Sequence, residues 1–254
     1  MKKSISYFII SMMLLVSNAY ASNNNELGAL LKFSDGRAIS ELSKINEVLM
    51  TVGVHLERVD VPNESIPLLQ ASLRAPLSKK DKARVLELFS LSRADVINQA
   101  RKAGREPVIA GGGSMTSGEV GVAPYPKVYD LNAMGRKDRL GARNKFGPLH
   151  VNSTDEQMGV DEVMTLAVGG AWTWYFQVGD QAVELHMSRV NPGDRAWRLT
   201  YPGLTPHGAY FHSTEGLCIA YITGPETWTM RYEAPGLVNA ELIGKNPFIN
   251  FDKP

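Results

Sequence analysis

The residues best suited to chemistry lie in the second half of the chain. The stretch TYPGLTPHGAYFHSTEG (200–216) holds two of the five histidines, His207 and His212, between a proline–glycine turn and a glycine. Upstream, His150 stands two residues before Asn152 in GPLHVN. Imidazole and carboxylate groups converging in a dry cavity suit a divalent ion of the iron, manganese, nickel or zinc type. Two histidines and one carboxylate leave coordination positions open for a substrate or O₂. In extended chain, side chains alternate between two faces, so His150 and Asn152 share one face and His207 shares another with Ala209 and Phe211. His212 lies an odd number of residues beyond His207 and points the opposite way. His207 is therefore the better ligand of that pair. His186 alternates with Glu184 and Ser188 against the apolar Val183, Leu185 and Met187, and reads as solvent-facing. Tyr201, Tyr210 and Tyr221 flank the histidine segment with hydroxyls able to orient or transfer a proton. Tyr210, Tyr221 and Glu156 are taken as the catalytic candidates. Asp155, Glu156 or Gln157 can also extend a ligand set.

Strands must position these groups. After Lys127 six candidates follow one another: VMTLAV, WTWYFQV, AVELHMSRV, RAWRLTY, LCIAYIT and TWTMRYE. Turn signals separate them (GG, VGD, NPGD, YPG, ITGPE) at the short, regular spacing of an antiparallel sandwich or barrel. Trp172, Trp174 and Phe176 alternate on one strand face, as do Trp228, Met230 and Tyr232 on another. Inter-sheet packing is the first reading of both sets, and an aromatic wall around a small ligand the second.

The order of GPLHVN, DEVMTLAVGG, VNPGD and YPGLTPHG over residues 147–232 resembles the cupin superfamily, jelly-roll proteins many of which are metalloenzymes. The resemblance implies that His150 and His207 are metal ligands, that Glu162 is the carboxylate ligand, and that Gly169 is its accompanying glycine. Asn152 stands where the family has a second histidine, and STDEQMGV is an insertion before the glutamate. The ending PHGAYFHSTEGLCIAYITG is also similar to cupin lyases that split dimethylsulfoniopropionate, without their histidine-rich first motif. The function implied by the resemblance is a metal-dependent enzyme, lyase or dioxygenase, acting on a small organic molecule. In that enzyme His150, Glu162, His207 and Asn152 form the metal centre. The alternative is a non-catalytic binder of a ligand or protein whose metal site has degenerated, a reading that Asn152 favours.

The first half has another character. From Glu26 to Gly104 apolar residues fall at helical spacing, as in Ile39, Leu42, Ile45 and Leu49. Ser78 with Asp81, and Ser92 with Asp95, are helix-start signatures opening helices over 79–90 and 93–103, and Gly104 fits a left-handed C-terminal cap. VHLERVDV (54–61) reads as a lone strand. The expected architecture is α+β: a mainly helical region with a glycine-rich connection (22–126), then a double-stranded β-helix (127–254).

Before both stands MKK, then an apolar run of roughly ten to twelve residues, then Ala19-Tyr20-Ala21. This is the pattern of an export signal (1–21), too short to span a bilayer. The expected location is periplasmic or secreted, with no membrane association after signal removal. The one cysteine, Cys218, lies in an apolar run and reads as a buried hydrophobe. With 27 basic and 26 acidic residues the chain has no field to attract nucleic acid, so the two successive helices are a packing hairpin and not a DNA reader. A small molecule is the expected partner, and a homo-oligomer is compatible with the sequence.

Overall fold

The alternating segments pair as two five-stranded antiparallel sheets in the computed structural model, which describes residues 28–106, 125–233 and 241–252. The later part of the chain supplies β4 (Lys127–Asp130), β5 (Val151–Ser153), β6 (Asp161–Gly169), β7 (Trp172–Val178), β8 (Gln181–Met187), β9 (Ala196–Pro202), β10 (His207–Tyr210), β11 (Gly216–Thr223) and β12 (Thr229–Arg231). The first sheet contains the order β4–β11–β6–β9, the second β10–β7–β8. Strand β5 reaches β10 through His150 and His207, whose backbones exchange hydrogen bonds of 2.9 and 3.0 Å, and it also pairs with β12. The eight strands β4 to β11 thus form the jelly-roll pattern, a long hairpin wound into two facing sheets.

The earlier part is less helical than its spacing suggests. Strands β1 (Ala29–Phe33) and β2 (Ala38–Ile39) extend the second sheet beyond β8, and β3 (His55–Val59) extends the first beyond β9. Of the apolar stripe starting at Ile39, only α1 (Leu42–Leu49) is helical, and Ile39 itself is in β2. A five-residue run such as ALLKF fits both periods, and pairing with β8 decides it, burying Ala29, Leu31 and Phe33 between the sheets.

Three further helices, α2 (Ile66–Ser72), α3 (Lys79–Leu88) and α4 (Arg93–Lys102), cover the outer face of the first sheet. The starts of α3 and α4 are capped as the sequence indicates. The Ser78 hydroxyl accepts from the Asp81 N–H at 3.1 Å, and Ser92 and Asp95 satisfy each other's backbone at 3.2 and 2.8 Å. Gly104 takes the left-handed conformation expected of it (φ 74°). The helices lay Leu69, Val85, Phe89 and Val96 on outward-facing Val163, Leu217, Ile219 and Tyr221.

The outer face of the second sheet is covered differently, by α5 (Arg136–Phe146) and the segment 241–252, with Leu149 and Tyr175 against Phe248 and Ile249. Helix α5 lies where only strands are expected. Its sequence RKDRLGARNKF has too few apolar residues to show a stripe, and Asp138 starts it by accepting from the Gly135 N–H at 3.0 Å.

Between the sheets Trp172, Trp174 and Phe176 interlock with Leu185, Leu199 and Tyr201, as their alternation suggests. Cys218 is buried there, and burial pushes its thiol pKa up, in keeping with a packed apolar group. No helix among the described residues is long and apolar enough to cross a membrane. The export segment and most of the glycine-rich connection lie outside the described residues.

Candidate functional site

Three strands bring His150, Asn152, Glu162 and His207 together at one end of the sheet sandwich. Glu162 comes directly after the first residue of β6 and shares the inner face with Met164 and Leu166; His207 opens β10 on the same face as Ala209. The YPG turn fixes the register. The Asn152 N–H donates to the Gly203 carbonyl at 2.8 Å, and a Cβ on Gly203 would stand 2.5 Å from the Asn152 carbonyl oxygen, so only glycine allows that approach. Gly208 is pressed likewise against the Gly147 carbonyl, 2.9 Å from where its Cβ would be.

All four residues are at most 3% exposed. Asn152 Nδ2 donates to Glu162 Oε1 at 2.6 Å and lies 3.3 Å from His207 Nε2, which is itself 3.3 Å from Glu162 Oε1. The rings of His150 and His207 are 4.5 Å apart between centroids.

Each of the three metal-type groups is anchored through one atom. His150 Nδ1 meets the Pro148 carbonyl at 2.8 Å, and His207 Nδ1 meets the Thr205 carbonyl at 2.7 Å. A carbonyl can only accept, so Nδ1 carries the proton in both rings, and in the neutral rings Nε2 keeps the lone pair. Glu162 Oε2 accepts from the Tyr201 hydroxyl at 3.1 Å, whose oxygen accepts from Trp174 Nε1 at 3.3 Å. Burial, reinforced by His207, pushes the His150 pKa down to about 3, which keeps that ring neutral. Burial, then the neighbouring Glu162, pushes the Tyr201 phenol well up, so it stays a donor.

As placed, no group of three His, Cys, Asp or Glu side chains among the described residues closes around a metal ion. The donor chemistry nonetheless fits one. Backbone carbonyls hold both imidazoles by Nδ1, the way the free ring nitrogen of a metal-binding histidine is commonly held. The buried Asn152 Oδ1 has no hydrogen-bond partner. Which way an amide points is assigned from its hydrogen-bond network. Half a turn about Cβ–Cγ would replace Nδ2 with Oδ1 and leave only acceptor atoms facing Glu162 Oε1 and His207 Nε2, an arrangement that calls for a cation.

The group borders a cavity of about 60 Å³, room for a few waters or a small organic fragment. Its wall includes Tyr125, Tyr129, Trp174, Phe211, Trp228 and Met230, and no lysine or arginine among the described residues lines it. Trp174 and Trp228 thus form part of an aromatic wall, whereas Trp172 and Phe176 serve only the core. The Tyr125 and Tyr129 hydroxyls are 3.0 Å apart, and burial raises the pKa of both.

The three catalytic candidates lie elsewhere. Glu156 is exposed on the loop between β5 and β6, beside Asp155, which pairs with Arg231. Tyr221 faces the helical layer because β11 is buried on both faces, and a uniformly apolar run carries no parity signal. Tyr210 occupies the outer face of β10, with its ring 4.0 Å from that of the exposed His212. Its separation from His207 is odd, so parity alone excludes it from the inner face. Parity also finds the tyrosine that does reach the site, since Trp197, Leu199 and Tyr201 alternate in AWRLTYP and all face inward. Nothing local marks Tyr125 and Tyr129. His186 is half-buried on the outer face, opposite Val183, Leu185 and Met187.

No protein-family model matches the chain, and no curated protein matches it significantly. Among solved structures, it is similar to an acireductone dioxygenase from Bacillus anthracis with a cadmium ion in its active centre. The two share 16% identity with a TM-score of 0.49, over 80% of this chain and 98% of that one.

Proposed function

We propose that the chain is an exported, cupin-type, metal-dependent enzyme of the dioxygenase or lyase kind, acting on a small organic molecule. The observation that carries this reading is the outward anchoring of His150, His207 and Glu162 beside the Asn152 amide, whose Oδ1 has no hydrogen-bond partner. His150, Glu162 and His207 would hold a divalent iron, manganese, nickel or zinc ion, with the Asn152 amide oxygen as the fourth protein ligand. Such an ion supplies a Lewis acid or an O₂-binding centre.

The chain's own residues do the rest. Tyr201, braced by Trp174, fixes the carboxyl of Glu162. The aromatic wall excludes water and takes up the apolar part of the substrate. Of the two hydroxyls in the Tyr125–Tyr129 bond, one is spent on the other, so the pair keeps one phenol proton for a substrate oxygen.

Elemental analysis of protein purified without added metal tests the centre. The wild type is expected to carry close to one equivalent, and the Glu162→Ala, His207→Ala double variant almost none. Equal content in the two overturns the proposal.

A second reading is favoured by one contact. The Asn152 amide already satisfies Glu162 at 2.6 Å, as it would in a metal-free pocket of a non-catalytic ligand- or protein-binding protein. In that case no metal copurifies and a chelator leaves the melting temperature unchanged, whereas the enzyme reading expects it to fall. Both readings place the protein in the periplasm or outside the cell, on the strength of residues 1–21.

A further inference from the structure

Helix α5 carries an electrostatic excess that nothing among the described residues balances. Arg136, Lys137, Arg139, Arg143 and Lys145 share the helix with one acid, Asp138, which is engaged at the Gly135 N–H. None of the ion pairs among the described residues includes any of the five cations. Three of them converge: Arg136, Arg139 and Arg143 line a concavity of about 180 Å³ together with Leu140, Tyr210, Phe211 and His212.

Arg143 supplies an independent sign that an anion belongs there. It is only 8% exposed, yet among the described residues its contacts are a backbone carbonyl and aromatic rings, not a countercharge. Its Nη2 donates to the Asn250 carbonyl, and the rings of Tyr210 and Phe251 lie 5.9 and 5.6 Å from its Cζ. Arg139 likewise donates to a carbonyl, that of Met134. The carboxylate that acts on His212, Glu184, is already held by Lys32 at 3.1 Å. A guanidinium buried without a counter-ion is strongly unfavourable unless an anion completes it.

We propose that this concavity binds a small organic carboxylate, clamped by Arg136, Arg139 and Arg143 with its apolar portion against Leu140, Tyr210 and Phe211. Planar guanidinium groups match the two oxygens of a carboxylate, and the apolar wall favours an organic acid over a fully hydrated inorganic oxyanion. Phe211 also lines the histidine–glutamate cavity, so a bound acid would stand one side chain away from it. The site requires no metal in that cavity.

Calorimetric titration of chelator-treated full-length protein with benzoate, acetate and inorganic phosphate at low ionic strength tests the site. Benzoate is expected to saturate at one equivalent, to bind more tightly than acetate or phosphate, and to weaken as salt is raised. The Arg136→Gln, Arg139→Gln double variant changes side chains that are not buried; its affinity is expected to fall by about tenfold or more. Benzoate should also raise the melting temperature of the wild type and not that of the variant. No saturable binding of benzoate, or equal affinity in wild type and variant, overturns the proposal. Phosphate binding more tightly than benzoate overturns the assignment to an organic acid.

Discussion

The two faces of β10 carry opposite electrical problems. On the inner face His207 joins Glu162, Asn152 and His150 in a cluster rich in acceptor atoms, one of them without a partner, in a cavity that no lysine or arginine of the described residues lines. On the outer face Tyr210 and His212 border three arginines and, among the described residues, no carboxylate. Among the described residues, no lysine or arginine lines the inner site and no carboxylate lines the outer one. Buried charge and buried lone pairs need partners, so each imbalance names the sign of what completes it. Alternation along the strand explains why His207 and Tyr210, three residues apart, face these two different surroundings.

Adding a second carboxyl to the inner site strikes hardest at this contrast. Asn152→Asp replaces the donor 2.6 Å from Glu162 Oε1 with a carboxyl. The metal-free protein is expected to lose about 3 kcal/mol or more in a denaturant melt, by analogy with removing one partner of a buried pair. Added divalent metal should restore more stability to this variant than it adds to the wild type. Restoration by metal no greater than in the wild type would remove the case for a cation.

Tyr201→Phe acts on the brace and not on the ligands. It leaves Glu162 Oε2 and Trp174 Nε1 without their partner, at an expected cost of about 1–3 kcal/mol in the same melt. Metal affinity should weaken while benzoate binding on the outer face is unchanged. Loss of both would show that the two sites are not separate.

Ser92→Ala provides a distant control. It removes the cap of α4, at about 1 kcal/mol, and should alter neither metal content nor benzoate affinity.

The smallest effect concerns pH. Burial holds the His212 pKa below its ordinary value; Glu184 opposes that shift, and His186 and Arg143 add to it. His212 is therefore neutral at pH 7. Benzoate affinity should rise modestly as pH falls through this lowered pKa, where the ring gains a proton and joins the arginines, and His212→Gln should abolish the rise. A profile that is flat in the wild type would exclude His212 from the anion site.

Much of the fold and of the inner site is legible in the sequence for stateable reasons. WTWYFQV is half of a sandwich interior, and its strand spans the whole of that run. Ser92 and Asp95 announce a helix start because cap chemistry is local. His207, Ala209 and Phe211 share the cavity wall, as alternation requires. ALLKF, by contrast, is indistinct because five residues cannot separate a period of 2 from one of 3.6. Tyr221 is misplaced by sequence reasoning because a strand buried on both faces shows no alternation.

Order along the chain was enough to establish the strand-rich later half, the caps, the inward side of β10 and the residue types able to hold a metal. Those are properties of near neighbours, governed by backbone geometry and by side-chain period. Only the assembled fold established that β1 and β3 join the sheets of the sandwich, that the Tyr201 hydroxyl meets Glu162, and that three arginines gather around a space that no carboxylate of the described residues lines. Each of those depends on which distant segments pair, and pairing is set by the burial of whole faces, which no local window contains.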